Sequence, residues 1–344
     1  MKKSLKYLVA ATASVVTTAG FAASNLENPL YMPKANDIYV KAGGAYMYKR
    51  TDHTDALKDK NMDGMEISPI WRLSGDMGYG ITDRLDVHGH FGYTNDHKTS
   101  REGMHRGRIG LMLRALTEKD PIILDFYADS FLSFVSPMKG TYKRYGNKGA
   151  FDFANYSNGR FGIITGTRLG KTWDKFTLAG HFEYLQTFGN HNNEINIDPT
   201  IPAGPVTMGA VLPNQISVDL KGTNEISTGI DTFYQMNSKW SFGAGFEYYQ
   251  HSDNGVVGIH TALPEVAPAL QPVQEAVVNK LLAETANMQD GWDEYILKAS
   301  VANQITETVQ VALYGEYTID DSHAHSQNGT DIKAELGVRL NAQF

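Results

Sequence analysis

Charged side chains are sorted along this chain. Lys41, Arg72, Arg84, Arg106, Arg108, Arg114, Arg160 and Arg168 fall early, whereas Glu183, Asp231, Glu247, Glu294 and Glu316 follow, relieved mainly by Lys298. Facing one another across water, the two sets would form a basic wall and an acidic wall. The transverse field between such walls orients dipolar solutes and slows apolar ones. Asp76, Asp86, Asp96, Asp125 and Asp129 lie among or beside the basic set and offer a different outcome, in which the charges pair and fill the space between them.

Other constellations are less complete. Asp59-Lys60-Asn61-Met62-Asp63-Gly64 supplies the alternating oxygens and turn glycine that open a calcium loop, but Ile70 stands at the twelfth position in place of a bidentate Glu. Asp59, Asn61 and Asp63 are therefore a partial metal candidate, and a solvated acidic loop tip is the expected state. His88 and His90 share one strand face, and Asp320-Asp321-Ser322-His323-Ala324-His325 gathers carboxylates and imidazoles. Neither group brings an identifiable third ligand, so polar lining and a solvated loop are expected, with no cofactor.

The elements that would position these residues are strands. Ile332, Ala334, Leu336, Val338, Leu340 and Ala342 alternate with Asp331, Lys333, Glu335, Arg339, Asn341 and Gln343 up to the terminal Phe344, a period-two pattern with one apolar and one charged face. The same alternation predicts about twelve strands, near Asp37 to Lys49, Glu66 to Ile81, Arg84 to Asp96, Arg106 to Leu116, Pro121 to Phe134, Gly159 to Gly170, Lys175 to Phe188, Glu225 to Met236, Lys239 to Gln250, Glu294 to Ile305, Val309 to Ile319 and Thr330 to Phe344. Tight turns at Thr82-Asp83, Thr117 to Asp120, Lys171 to Asp174, Asn237-Ser238 and Thr306 to Thr308 alternate with long connections. Odd-numbered residues of the last two strands are taken as inward, and carrying the parity back through the turns assigns the sorted charges above to the inner face.

The remaining composition fits this reading. Lys2, Lys3 and Lys6 precede an apolar stretch from Tyr7 to Ala19 and the small residues of Gly20-Phe21-Ala22, the pattern of an export signal cut after Ala22. The expected organisation is a signal peptide over 1–22, a periplasmic N-terminal segment over 23–36 and a barrel over 37–344. No cysteine occurs, so no disulfide framework supports the exported chain. A net charge of -7 argues against a nucleic-acid partner.

Aromatic residues cluster at two levels, with Tyr79, Trp173, Phe176, Tyr234, Trp240 and Phe344 near the short turns, and Tyr46, Tyr48, Trp71, Tyr93, Phe188, Tyr248, Tyr295 and Tyr317 near the long loops. Two such girdles are what rings form at the headgroup levels of a bilayer. With the terminal Phe344, the even strand number and the loop asymmetry, the chain from Asp37 onward resembles Gram-negative outer-membrane β-barrel proteins, in particular porin-like channels. The resemblance implies an all-β, antiparallel up-and-down transmembrane barrel in the bacterial outer membrane that passes small hydrophilic solutes. It also implies contact with outer-membrane lipid and lipopolysaccharide, and with periplasmic chaperones and the barrel-assembly machinery during biogenesis. Oligomeric state and solute stay open.

Two further readings compete with the channel. In the fifth long connection Val273, Ala276, Val277, Leu281 and Met288 form a helical stripe, which is either a lid over the mouth (Val273, Val277, Leu281, Met288) or a surface helix packed on neighbouring loops. The patch Val206, Met208, Val211 and Leu212 in the fourth loop is a candidate partner. A filled barrel acting through its outer loops as an adhesin or structural protein is the alternative function. A hydrolase is disfavoured: Asp321-Ser322-His323 resembles the Asp-His pair of omptin proteases, but the chain lacks their Asp-x-Asp pair, and the outward face offers apolar and aromatic residues where an outer-membrane phospholipase needs its Ser and His.

Overall fold

The computed structural model describes residues 25–50, 70–96, 101–132, 139–145, 148–153, 161–252, 256–287, 292–321 and 332–344. Twelve antiparallel strands close into a barrel: β1 (Ile38–Arg50), β2 (Ile70–Thr82), β3 (Leu85–Asp96), β4 (Arg101–Leu116), β5 (Ile123–Leu132), β8 (Gly162–Trp173), β9 (Phe176–Thr187), β14 (Asn224–Gln235), β15 (Trp240–His251), β17 (Trp292–Gln304), β18 (Val309–Asp321) and β19 (Ile332–Gln343). Each predicted strand is present, with ends displaced by a few residues. The ring shuts where β19 pairs with β1, Gln343 opposite Tyr39, and Ile38 and Phe344 exchange backbone hydrogen bonds of 2.9 and 2.8 Å. Closure leaves no strand edge to be satisfied by water, the condition for a sheet to stand in lipid.

The alternation of side chains explains why the sheet is stable with its apolar face outward. Leu336 and Val338 are 61% and 52% exposed on β19, and Met77, Ile109, Leu111, Phe126, Leu169, Ile230 and Leu297 continue this outer belt on other strands. In water such a surface invites aggregation, whereas in a bilayer it is the solvated face. Rings bound it at both levels. Trp173 and Phe176 stack at 6.3 Å across a short turn, while Tyr46 meets Trp71 edge-on at 5.2 Å and Tyr295 packs against Phe246 and Tyr248 at 6.1 and 5.3 Å toward the other end.

One expected long connection is short. β4 begins at Arg101 and pairs with Asp96, so β3 and β4 form an extended hairpin joined by residues 97–100, with a register shift between His90 and Gly92. Polar and charged residues on both strands obscure this extension in the hydrophobic pattern.

The long connections build a second structure. β6 (Lys139–Tyr145), β7 (Lys148–Phe153), β10 (Asn190–Ile197), β13 (Gln215–Leu220) and β16 (Val256–Ile259) form a sheet in the order β16-β13-β10-β6-β7. β10 and β13 prolong the β9–β14 ladder beyond the barrel, since Asn224 faces Gln186 and Asn190 faces Leu220. A two-stranded ribbon, β11 (Pro202–Ala203) with β12 (Val206–Thr207), and helix α1 (Gln271–Asn287) complete this cap. Val277 and Leu281 of α1 enter one apolar core with Ile195, Ile216, Met208, Val211 and Leu212, and Val206 and Val273 pack against it. The helical stripe is thus absorbed by loop packing, with the fourth-loop patch as its partner. Met288 lies outside the described residues.

Candidate functional site: a charged lumen crossed by the N-terminal segment

The inner face follows from the outer one. In β2, Trp71, Leu73, Met77 and Tyr79 point outward, so Arg72 and Asp76 point in; in β9, Phe176, Leu178 and Phe182 point outward, so His181 and Glu183 point in. The same logic places Lys41, Arg108, Arg114, Arg168, Asp231, Glu247 and Glu294 inside. The odd-inward rule holds for β19 but not for β18, where Leu313 and Tyr317 are outward and Tyr314 and Glu316 inward. Arg84 departs from its expected place in the wall: it sits exposed in the turn between β2 and β3, its amide bonded to Thr82 Oγ1 at 3.1 Å. The side chain of Arg106, and Arg160 altogether, lie outside the described residues, as do Asp59, Asn61, Asp63 and Ser322 to His325.

Inside, the charges are interleaved rather than left as opposing walls. Arg108 bridges Asp129 (Nε, 2.6 Å) and Glu183 (Nη2, 2.9 Å), and Tyr127 donates its hydroxyl to the same glutamate at 2.9 Å. Arg114 and Arg168 share the fully buried Asp125 at 2.8 and 2.7 Å. Arg72 lies 2.9 Å from Glu335, and Lys298 pairs with Glu247, which also accepts from Ser227. Imidazoles fill the intervals: His88 joins Asp86 and Asp129 at 2.9 and 3.0 Å, His90 joins Asp76 at 2.6 Å, and His181 joins Asp231 at 3.1 Å. A charge in this ring that lost its partner would keep the full cost of desolvation, so the pairs form a coupled set. Gly110 belongs to it sterically, because a Cβ there would meet Asp129 Oδ1 at 1.9 Å. Sequence reading did not single out His181, Tyr127 or Ser227; their inward parity on β9, β5 and β14 was the available signal.

A cavity of about 460 Å³ opens within this ring, with Tyr39, Asp76, His90, Arg108, Glu183 and Lys298 in its wall. One end of the lumen is crossed by the chain itself. Residues 25–31, within the stretch 23–36 expected as a periplasmic segment, run inside the barrel, and Ala35 and Asn36 meet the β2–β3 turn at its rim. Asn25 bonds Gln235 (2.5 Å) and Gln310 (3.0 Å), Asn28 bonds Thr177 (3.1 Å), and Glu27 accepts from Arg339 (3.3 Å) and Asn341 (2.7 Å). Cations bind its main-chain carbonyls: Lys41 that of Leu26 at 2.8 Å, Arg114 that of Leu30 at 2.6 Å, and Arg168 those of Pro29 and Tyr31 at 3.1 and 2.7 Å. Leu30 is buried with Ile123 and Ala179, and Tyr31 meets Tyr39 edge-on at 5.6 Å. At Gly80 a Cβ would stand 1.9 Å from Lys34 O, so the segment's close approach to β2 requires a glycine. No periodicity announces such a segment, since it is held by its backbone and by polar side chains.

No protein-family model and no curated protein sequence matches the chain. Among solved structures it is similar to an outer membrane channel from Pseudomonas putida F1, at 10% identity and a TM-score of 0.55, over 94% of this chain and 100% of that one. It is more distantly similar to the toluene transporter TbuX of Ralstonia pickettii, at 11% identity and a TM-score of 0.41 over 95% and 96% of the two chains. The NanC porin follows at 8% identity and 0.40 over 87% and 98%. The fold is that of the outer-membrane β-barrel proteins.

Proposed function

We propose that the protein is an outer-membrane channel through which small hydrophilic solutes pass passively, non-enzymatic and without cofactor. Its short turns lie in the periplasm and its cap outside. The observation that carries this is the polar cavity of about 460 Å³ enclosed by a barrel whose inner face is charged and whose outer face is apolar. Water is the natural filling of such a cavity, because its walls are lined by hydrogen-bonding groups. Residues 25–31 make the constriction at the short-turn end, and withdrawal of that segment widens the path.

Single-channel recording of the refolded protein in planar bilayers tests the reading. Discrete conductance steps are expected in the intact chain, and larger steps once residues 25–31 are removed. Absence of conductance in both forms would overturn it. The filled-barrel alternative has one observation of its own, the independent apolar core of the cap around Ile195, Ile216 and Leu281. In that case function resides in the outer surface, and the non-conducting outcome is its signature.

A further inference from the structure

The lumen cavity also has the make-up of a binding station, and its chemistry selects among solutes. Polar pairs line it throughout: His90 with Asp76, His181 with Asp231, Arg108 with Glu183 and Lys298 with Glu247, together with His88, held by Asp86 and Asp129, and Glu225, held by His251. Within each pair, hydrogen-bond contact already matches base to acid. An incoming ion would have to break one of these contacts and leave its partner charge uncompensated in a confined space. A neutral solute incurs no such penalty.

The pairs are nonetheless open to further hydrogen bonds. His90 and His181 each engage a carboxylate through Nδ1, which leaves Nε2 for a hydroxyl, and Asp76 binds through a single oxygen. Both members of the His90–Asp76 pair are about a third exposed, at 31% and 36%. Tyr39, Tyr249 and Phe131 add ring surface to the wall, and Leu185 and Ile164 add aliphatic surface. Planar polar groups that donate and accept, set beside rings that can lie against C–H faces, match a molecule carrying hydroxyls around an apolar frame. The volume falls in the roughly 300–1,000 Å³ range of small-molecule sites.

We propose that this cavity is a binding site for neutral polyhydroxylated solutes of mono- to disaccharide size, with His90, Asp76, His181 and Glu183 supplying hydrogen bonds. The proposal rests on the channel reading for its biological use, but the binding itself does not depend on conduction. The test pairs two measurements on the full-length refolded protein: ion current in planar bilayers, and calorimetric titration in detergent micelles. Sucrose is the probe, with gluconate and lysine as charged comparators.

Saturable reduction of the current by sucrose, with weaker effects of gluconate and lysine, is the expected result. His90→Phe and His181→Phe should each raise the half-blocking sucrose concentration roughly tenfold, the loss of about one hydrogen bond at each ring. Conduction with preferential block by gluconate or lysine overturns the proposal and leaves a channel whose lumen selects ions. Conduction unaffected by any of the three also overturns it. Calorimetric sucrose binding to a protein that does not conduct upholds the site and removes the channel reading. Absence of both removes both. Should the phenylalanine variants fail to fold, the comparison of the three solutes on the unaltered protein still decides.

Discussion

Arg168→Gln isolates the hold of the barrel on its N-terminal segment. The guanidinium donates to the carbonyls of Pro29 and Tyr31 at 3.1 and 2.7 Å, and its third contact is Asp125 at 2.7 Å. Asp125 keeps Arg114 at 2.8 and 3.1 Å in the variant, so the fold is expected to survive. Each charge-assisted bond contributes about 1.5–3 kcal/mol, and the shorter glutamine restores at best one neutral bond of about 1 kcal/mol. The net loss of about 2–5 kcal/mol raises the population with the segment withdrawn roughly 30- to 5,000-fold. In planar bilayers this reads as more frequent large-amplitude openings, approaching the behaviour of a chain lacking residues 25–31. If the intact protein, Arg168→Gln and the deletion share the same amplitude and open probability while all remain folded by circular dichroism, the segment does not obstruct the path.

Four other outcomes follow from the same structure. Val338→Arg places a charge on the outer belt midway along β19, at a cost of about 2–4 kcal/mol, and should reduce assembled, heat-modifiable barrel far more than Ser227→Arg in the lumen; Gly337 is no fair lumen control, because a Cβ there would strike the Tyr314 ring at 2.4 Å. Since the chain has no cysteine, Glu275→Cys on α1 should react with a membrane-impermeant maleimide on intact cells, and Lys175→Cys in a short turn should not; reaction of the second alone inverts the orientation. Arg72→Ser with Arg108→Ser uncovers Glu335, Asp129 and Glu183 and should shift the reversal potential toward cation preference; an unchanged potential would place these side chains off the conducting path. Leu281→Ala should destabilise the cap by about 2–5 kcal/mol, seen as faster proteolysis of its loops with the barrel's heat resistance unchanged.

The barrel was legible because each strand is read by two solvents at once. Lipid outside and water inside impose a strict period of two, and residues such as Trp240, Phe242 and Phe246 against Ser241, Gly243 and Glu247 carry it undiluted. The cap strands are shorter and lie in loops whose pattern is broken by Pro and Gly. Ile216, Val218 and Leu220 do alternate, yet six residues between turns hold too little signal to separate a strand from a loop. Charge placement was legible for the same reason as the strands, but pairing was not: Arg114 and Arg168 converge on Asp125 only because β4, β5 and β8 are neighbours with that register. The N-terminal segment was invisible, since its contacts run through main-chain carbonyls of Leu26, Pro29, Leu30 and Tyr31, which every sequence possesses, and through Asn25, Glu27 and Asn28, which carry no periodic pattern.

The seam between β1 and β19 joins residues at opposite ends of the chain, Tyr39 to Gln343, and both seam strands also grip the segment that precedes them: Lys41 through Leu26 O, Arg339 and Asn341 through Glu27. Joining residues so far apart in sequence closes the longest loop of any strand pair in the barrel, and so carries the largest closure entropy among its ladders. The clasp and the stopper therefore share residues. Zipping these two strands brings Lys41 together with Arg339 and Asn341, so the event that closes the pore also completes the grip on its obstruction, and a barrel caught with its seam ajar would hold the segment only through its partners on β4, β8, β9, β14 and β18.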